Sequence, residues 1–356
     1  MSPWKMEGLT IGARVITRDS GPYLIAEIGL NHEGDLARAK DLIWQAKRGG
    51  ADAAKFQALK ADTIAHPNSP TYFHQTTGDH HPPAMTQHAF FARSDGFGPA
   101  EFASLATTCR DAGLDFLCTP FSVDAVSWVA PLVPAWKVAS ADITNEPLLD
   151  AIGATGKPVL LSTGAATLDE ISHAESVLWR AGGAHVAFLH CVLAYPTPPD
   201  QANLGAIPAM ARAFPWAIIG YSDHTVATPE METCFLAYCM GARIIEKHFT
   251  AVGEQWRSGN DHYHSADASQ FAYLKAAITD VQRYFGTGQK VVQDIEAPAR
   301  QYARRGLYAA RPIQAGQTLA ARDIAILRPA ARLGPEAYAK MVGSVAAKDY
   351  ARLEPL

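Results

Sequence analysis

The most constraining feature of this 356-residue chain is a rhythm. Short apolar runs at Tyr23–Ile28, Ala53–Gln57, Asp115–Thr119, Ala135–Val138, Pro158–Ser162, Val186–Cys191, Ala217–Tyr221 and Ala242–His248 recur along it. Between them lie segments of helical spacing such as Leu36–Arg48, Pro99–Ala112, Leu168–Ala181 and Pro229–Met240. Runs that are apolar almost throughout are strands buried on both faces, as in a parallel sheet. Gly near the C-cap closes several helices, as in Arg48-Gly49-Gly50 and Ala112-Gly113. Eight strand–helix units over roughly 250 residues predict an α/β fold of the (β/α)8 TIM barrel type. A doubly wound sheet is the alternative, but no G-x-G-x-x-G follows the first strand.

The barrel is expected over residues 1–285. A polar, Gly/Pro-punctuated stretch at 286–303 reads as a linker. Residues 304–356 read as a small β-rich unit with a hairpin turn at Gln314-Ala315-Gly316-Gln317. So small a unit buries little core and is expected to lean on a partner surface. One long segment, Ile64 to Phe97, is rich in His, Pro and aromatics and breaks the rhythm at the catalytic end of the barrel. Loops of this length are usually functional or disordered.

Composition narrows the function. Hydrophobic residues make up 48% and charged residues 19%, enough for a core and unlike a disordered chain. No apolar run approaches the ~20 residues of a membrane helix. A net charge of −4 without a dense basic run argues against nucleic acid as partner. Five cysteines without a C-x-x-C pair fit free thiols, and the opening MSPWKMEGLTIGARV lacks a basic-then-apolar leader; the expected location is the cytoplasm.

In a barrel the strand C-termini build the active site, and here they carry an unusual density of polar groups. They include Glu27 with Asn31 and His32, Lys55 and Gln57, Thr119, Lys137 and Ser140, Ser162 and Thr163. Further along come His190, Tyr195 and Thr197, then Ser222, Asp223 and His224, then Glu246, Lys247 and His248. His224 and His248 end adjacent strands and can converge on one divalent metal, or can be two hydrogen-bonded rim histidines. Asp261 either reaches the same place or caps a turn. Buried Lys55 and Lys137 call for an anion, phosphate or carboxylate, joined by Ser140 and Ser162-Thr163-Gly164; an interior pair such as Lys55 with Glu27 is the alternative. Glu27 is the best general-base candidate, or a carboxylate that holds Lys or His. Cys191 lacks an evident base, Asp79-His80-His81 reads as a solvated loop, and Tyr72, Phe73, Phe90 and Phe91 read as lid packing.

These residues stand in ordered strings. Ala26-Glu27-Ile28-Gly29-Leu30-Asn31-His32, Lys55-Phe56-Gln57, Cys118-Thr119-Pro120-Phe121 and Lys137-Val138-Ala139-Ser140 come first. Leu161-Ser162-Thr163-Gly164, Leu189-His190-Cys191 with Tyr195-Pro196-Thr197-Pro198, Gly220-Tyr221-Ser222-Asp223-His224-Thr225 and Glu246-Lys247-His248-Phe249 follow. In this order, over nearly the whole chain, they resemble the sialic acid synthase family, and the last fifty or so residues resemble its antifreeze-like (SAF) domain.

The resemblance implies condensation of phosphoenolpyruvate with an N-acyl-hexosamine aldehyde to a nine-carbon 2-keto acid, in a domain-swapped homodimer. It implies that His224 and His248 hold Mn²⁺ (Mg²⁺ or Co²⁺ being alternatives) and that Glu27 is the acid/base. Lys55, Thr119, Lys137, Ser140, Ser162, Tyr195 and Ser222 match phosphoenolpyruvate-binding positions. Asp261 matches an acceptor-sugar carboxylate, and Arg328 an SAF-domain arginine that reaches the neighbouring subunit's substrate. The implied chemistry is attack of C3 on the aldehyde, addition of water at C2 and loss of phosphate with C–O cleavage.

Three departures bear on the acceptor, one being that the long His-rich segment after the second strand shows no match to the family's acceptor-binding Asn. Val192-Leu193-Ala194 is apolar where such synthases usually carry polar residues, and an aromatic expected near the start of the SAF domain is replaced around Tyr302–Arg305. N-acetylmannosamine and a 2,4-diacetamido-6-deoxyhexose are both compatible acceptors. The competing readings are an octulosonate- or heptulosonate-type synthase using a phosphorylated aldose, a catalytically silent sugar- or ice-binding homologue, and a metal hydrolase barrel.

Overall fold

A computed structural model describes residues 8–72, 85–254 and 260–356. A short antiparallel hairpin, β1 (Leu9–Ile11) and β2 (Arg14–Ile16), comes first. Eight parallel strands then follow: β3 (Tyr23–Gly29), β4 (Ala53–Ala58), β5 (Asp115–Pro120), β6 (Trp136–Val138), β7 (Val159–Ser162), β8 (Val186–Cys191), β9 (Ile219–Asp223) and β10 (Ile244–His248). They close into a barrel in chain order, β10 pairing with β3 so that His248 lies opposite Glu27.

Alternation along each strand sorts side chains into two layers. Tyr23, Ile25, Ala53, Leu117, Leu160, Leu189 and Ile244 point inward and form one apolar cluster with Leu9, Ile11 and Ile16. The hairpin, which the sequence reading did not foresee, therefore plugs the barrel floor. Residues of the other parity, such as Leu24, Phe56, Trp136, Val138 and Ile245, pack against the helices. Those helices are set by local chemistry. Asp35 Oδ1 accepts the Ala37 and Arg38 amides at the start of Leu36–Arg48. Thr167 and Glu170 form a capping box before Leu168–Gly182. Gly113 ends Pro99–Ala112 in the left-handed conformation, φ 66°.

Met1–Phe285 forms one compact unit and Gly286–Leu356 another. The second pairs β11 (Gly306–Ala309) with β12 (Ile324–Leu327) and has its own small core of Leu307, Ala309, Ile313, Leu319, Ile324, Ala346 and Leu356. The turn at Gln314–Gln317 forms, with the Gln317 amide donating to the Gln314 carbonyl at 3.1 Å, but it is not a hairpin. Its flanks Ile313 and Thr318 pair with Tyr350 and Val345 instead of with each other. The stretch read as a linker contains a short helix, Ala297–Tyr302, begun by Pro298 in its first turn. Between Ile64 and Phe97 the described residues include a helix, Gln87–Phe91, capped by Thr86. Phe73 and Asp79-His80-His81 lie outside the described residues.

Candidate active site

One cavity of about 270 Å³ opens at the C-terminal ends of the barrel strands. Glu27, Lys55, Thr119, Lys137, Ser140, Ser162, Tyr195, Ser222, His224, His248 and Asp261 all line it. Arg328 belongs to the C-terminal unit, where it is exposed. Inward parity gathers the lining residues: Lys55 and Gln57, Ser222 and His224, Glu246 and His248 sit two apart on their strands. The same rule sends their neighbours elsewhere. Lys247 pairs with Asp223 at 2.6 Å behind the barrel wall. His190 Nε2 lies 2.9 Å from the Ala202 carbonyl, and His32 stacks on Phe97 with ring centres 4.3 Å apart. These residues brace the site from outside it.

The floor of the cavity is a buried charge quartet. Lys55 Nζ lies 2.5 Å from Glu27 Oε2 and 3.6 Å from Glu246 Oε1, and Lys137 Nζ lies 3.5 Å from that same Glu246 oxygen. The interior lysine–glutamate pair is thus present, and Glu246, given no role on sequence grounds, is its hub. Its signal was the inward parity it shares with His248. Burial works against the Glu246 carboxylate, yet Lys137 and Lys55 outweigh it and hold its pKa down to about 2. Burial also opposes the Lys55 ammonium, but Glu246 and Glu27 keep it above its ordinary range. For Lys137 burial prevails over Glu246, and its pKa is lowered. Lys137 is the less compensated of the two cations and the better place for an arriving anion.

Donors surround that place. Lys55 Nζ donates to Thr119 Oγ1 at 3.2 Å and Ser222 Oγ to Glu246 Oε1 at 3.1 Å. The Gly164 amide donates to Ser140 Oγ at 2.9 Å. A Cβ at Gly164 would stand 2.9 Å from Ser140 Oγ and 3.1 Å from the Leu193 amide, so only glycine lets the backbone approach this closely. Ser162 Oγ is buried with no hydrogen-bond partner among the described residues, a polar group that expects a ligand.

Beside the quartet stand three imidazoles. The ring centres of His224 and His248 are 5.5 Å apart, those of His248 and His264 4.6 Å, and those of His224 and His264 6.2 Å. His224 Nδ1 lies 2.9 Å from the Val192 carbonyl, which fixes that nitrogen as the donor and leaves Nε2 its lone pair. Cys191 Sγ is 3.7 Å from the same Nδ1, and against burial His224 draws the thiol pKa below its ordinary value, so the cysteine does have an imidazole beside it. Asp261 Oδ2 is 3.3 Å from His248 Nδ1. Neutral imidazole nitrogens and a carboxylate around one point are the donor set of a first-row divalent metal, so the residues fit such an ion. The tightest group of donor atoms among the described residues is His248, Asp261 and His264, all within 4.8 Å of one another, with His224 adjoining. His264 was missed on sequence grounds because it follows the last strand and has no strand parity to mark it.

Part of the cavity wall is apolar: Leu30, Ile64, Phe90, Phe91, Phe121 and Leu193 line it. Phe90 packs with Leu30 and Leu59, and Phe91 against them, so these two aromatics of the long segment pack and also face the cavity, while Tyr72 is exposed at its edge.

Comparison with known proteins agrees with this architecture. The chain is 32% identical to N,N'-diacetyllegionaminic acid synthase of Legionella pneumophila, over 90% of this chain and 89% of that protein. The crystal structure of an N-acetylneuraminic acid (sialic acid) synthetase from Leptospira borgpetersenii, in complex with citrate, superposes with a TM-score of 0.70 at 31% identity. That match covers 82% of this chain and 94% of the synthetase. A 3-deoxy-D-arabino-heptulosonate 7-phosphate synthase from Thermotoga maritima has a TM-score of 0.55 at only 14% identity, a likeness of fold alone. The SAF domain matches residues 304–356, and the NeuB family matches residues 42–290. Matched over well more than half its length, the chain belongs to the NeuB family and carries a SAF domain at its C-terminal end.

Proposed function

We propose that this chain is a nonulosonic acid synthase, a transferase that condenses phosphoenolpyruvate with an N-acyl-hexosamine-type aldehyde. The products are a nine-carbon 2-keto acid and phosphate. The observation that carries the reading is the floor of the cavity, where an under-compensated lysine, a partnerless Ser162 hydroxyl and an imidazole–carboxylate corner face one space.

Lys137 and Lys55 bind the anionic ends of phosphoenolpyruvate, with Ser140, Ser162, Thr119, Ser222 and Tyr195 as hydroxyl partners. A divalent cation, Mn²⁺ by preference, held by His248 and His224, supplies Lewis-acid polarisation of the acceptor's aldehyde oxygen. C3 of phosphoenolpyruvate attacks the aldehyde carbon and water adds at C2. The C2–O bond then breaks, so that the bridging oxygen leaves with phosphate. One proton of that water ends on the new hydroxyl and the other on the departing phosphate. Glu27, gripped by Lys55 and by Gln57 Nε2 at 2.7 Å, is the carboxylate placed to relay them.

Asp261 orients the sugar. The apolar wall, with Leu193 where a polar residue was expected, favours a 2,4-diacetamido-6-deoxyhexose, which carries a methyl group and two acetyl groups, over N-acetylmannosamine. Arg328 completes the partner's site in a domain-swapped homodimer. The enzyme works in the cytoplasm; its five cysteines are free, and no helix among the described residues is long and apolar enough to cross a membrane.

Phosphate release from phosphoenolpyruvate, assayed with Mn²⁺ across a panel of N-acyl sugars, tests the reaction. ¹⁸O in the bridging position must appear in phosphate; its retention in the keto acid refutes the bond cleavage. Turnover with arabinose 5-phosphate or erythrose 4-phosphate instead would assign the chain to the other synthase class.

A further inference from the structure

We propose that His264 is a third imidazole of the cation site, holding the ion with His248 and His224 beside Asp261; this rests on the reading that the cavity takes a divalent cation. His264 is fully buried, and neither ring nitrogen has a hydrogen-bond partner among the described residues. Leaving a polar group buried and unpaired costs about 1–3 kcal/mol, so two on one ring need a reason. His248 Nδ1, 3.3 Å from Asp261 Oδ2, likewise makes no hydrogen bond among the described residues.

Ring nitrogens that lack a hydrogen-bond partner and converge beside a carboxylate are the donor set of a divalent cation. The spacing agrees. Two imidazoles bound to one ion at about 2.1 Å have ring centres roughly 4.5–6.5 Å apart, from a right angle to a straight line. The three measured separations, 4.6, 5.5 and 6.2 Å, fall within that range. The segment is also held in place: the Asp261 amide donates to Asn31 Oδ1, and Ser265 Oγ donates to the Asp261 carbonyl at 2.6 Å.

Mn²⁺ binding followed by EPR on the full chain tests this without relying on turnover. The expected result is at least a tenfold rise in Kd for His264→Gln and His264→Phe. Variants that fold and bind within twofold of the unmodified chain overturn the role of His264 while leaving the cation reading intact. An unmodified chain that binds no Mn²⁺ overturns both. If neither variant folds, anomalous diffraction from Mn²⁺-soaked crystals of the unmodified chain decides: a peak about 2.0–2.4 Å from a His264 nitrogen supports the assignment, and one beyond about 3 Å refutes it.

Discussion

The Asp261 amide donates to Asn31 Oδ1 at 3.0 Å, joining residues 230 positions apart. The same Asn31 side chain donates through Nδ2 to the Phe249 carbonyl and to Ser265 Oγ, both at 2.9 Å. One buried amide thus ties the end of β3 to the segment that carries Asp261 and His264. Asn31→Ala leaves at least two buried partners unsatisfied. The expected cost is about 1–3 kcal/mol of stability, read as a several-degree fall in melting temperature, together with weaker Mn²⁺ binding. Unchanged melting and metal affinity would mean that the tie is idle.

The two floor lysines should fail differently. Lys55→Met strands Glu27 and part of the charge on Glu246 in a buried setting, and breaking such a pair costs about 3–5 kcal/mol. Lys137→Met removes the less compensated cation, so folding changes less while KM for phosphoenolpyruvate rises at least tenfold. Denaturant midpoints and steady-state kinetics on both variants separate the effects. Equal loss of stability in the two would contradict the asymmetry.

Acid should weaken the barrel through His32. Burial, reinforced by Arg38, lowers its pKa from 6.5 to about 4. Between those values the unfolded chain takes up a proton that the folded one refuses, so stability falls as pH drops, by about 3 kcal/mol at pH 4 from this group. Denaturant unfolding at pH 7 and pH 5 should show the slope, and His32→Phe, which keeps a ring against Phe97 without titrating, should flatten it.

Mixing two inactive proteins tests the role proposed for Arg328. Arg328→Ala spoils only the arginine, and Lys137→Met spoils only the barrel. If each SAF domain serves the other subunit, subunit exchange creates one intact site per heterodimer. Activity then recovers to about a quarter of the unmodified enzyme. No recovery after demonstrated exchange places the arginine in its own subunit's site, or in none.

Much of this was legible in the residues, and what was not has a physical reason. Eight two-face-buried strands announced the barrel because a parallel sheet covered by helices tolerates little else. Strand-end position alone, however, pooled residues of both parities. Lys247, Asp223 and His190 looked as promising as Glu246, although an odd offset from His248, His224 and Cys191 turns them toward the helices. Counting parity would have removed the first three and raised Glu246 to the centre. His264 and the Asn31 tie were beyond such counting, since both depend on a loop whose path is set by tertiary contacts. The hairpin at the floor escaped notice because three-residue strands carry too little pattern to register.

That hairpin has a kinetic corollary. Leu9, Ile11 and Ile16, packed on the inward layer of Tyr23, Ile25, Leu117 and Leu160, close the barrel below the cavity, which is lined at the C-terminal strand ends. Whatever seats against Lys137 at the bottom must descend before anything lodges above it, and must wait for the upper occupant to depart. If Lys137 holds phosphoenolpyruvate as proposed, the expected sequence of arrival is phosphoenolpyruvate first and the sugar second, read in product-inhibition patterns.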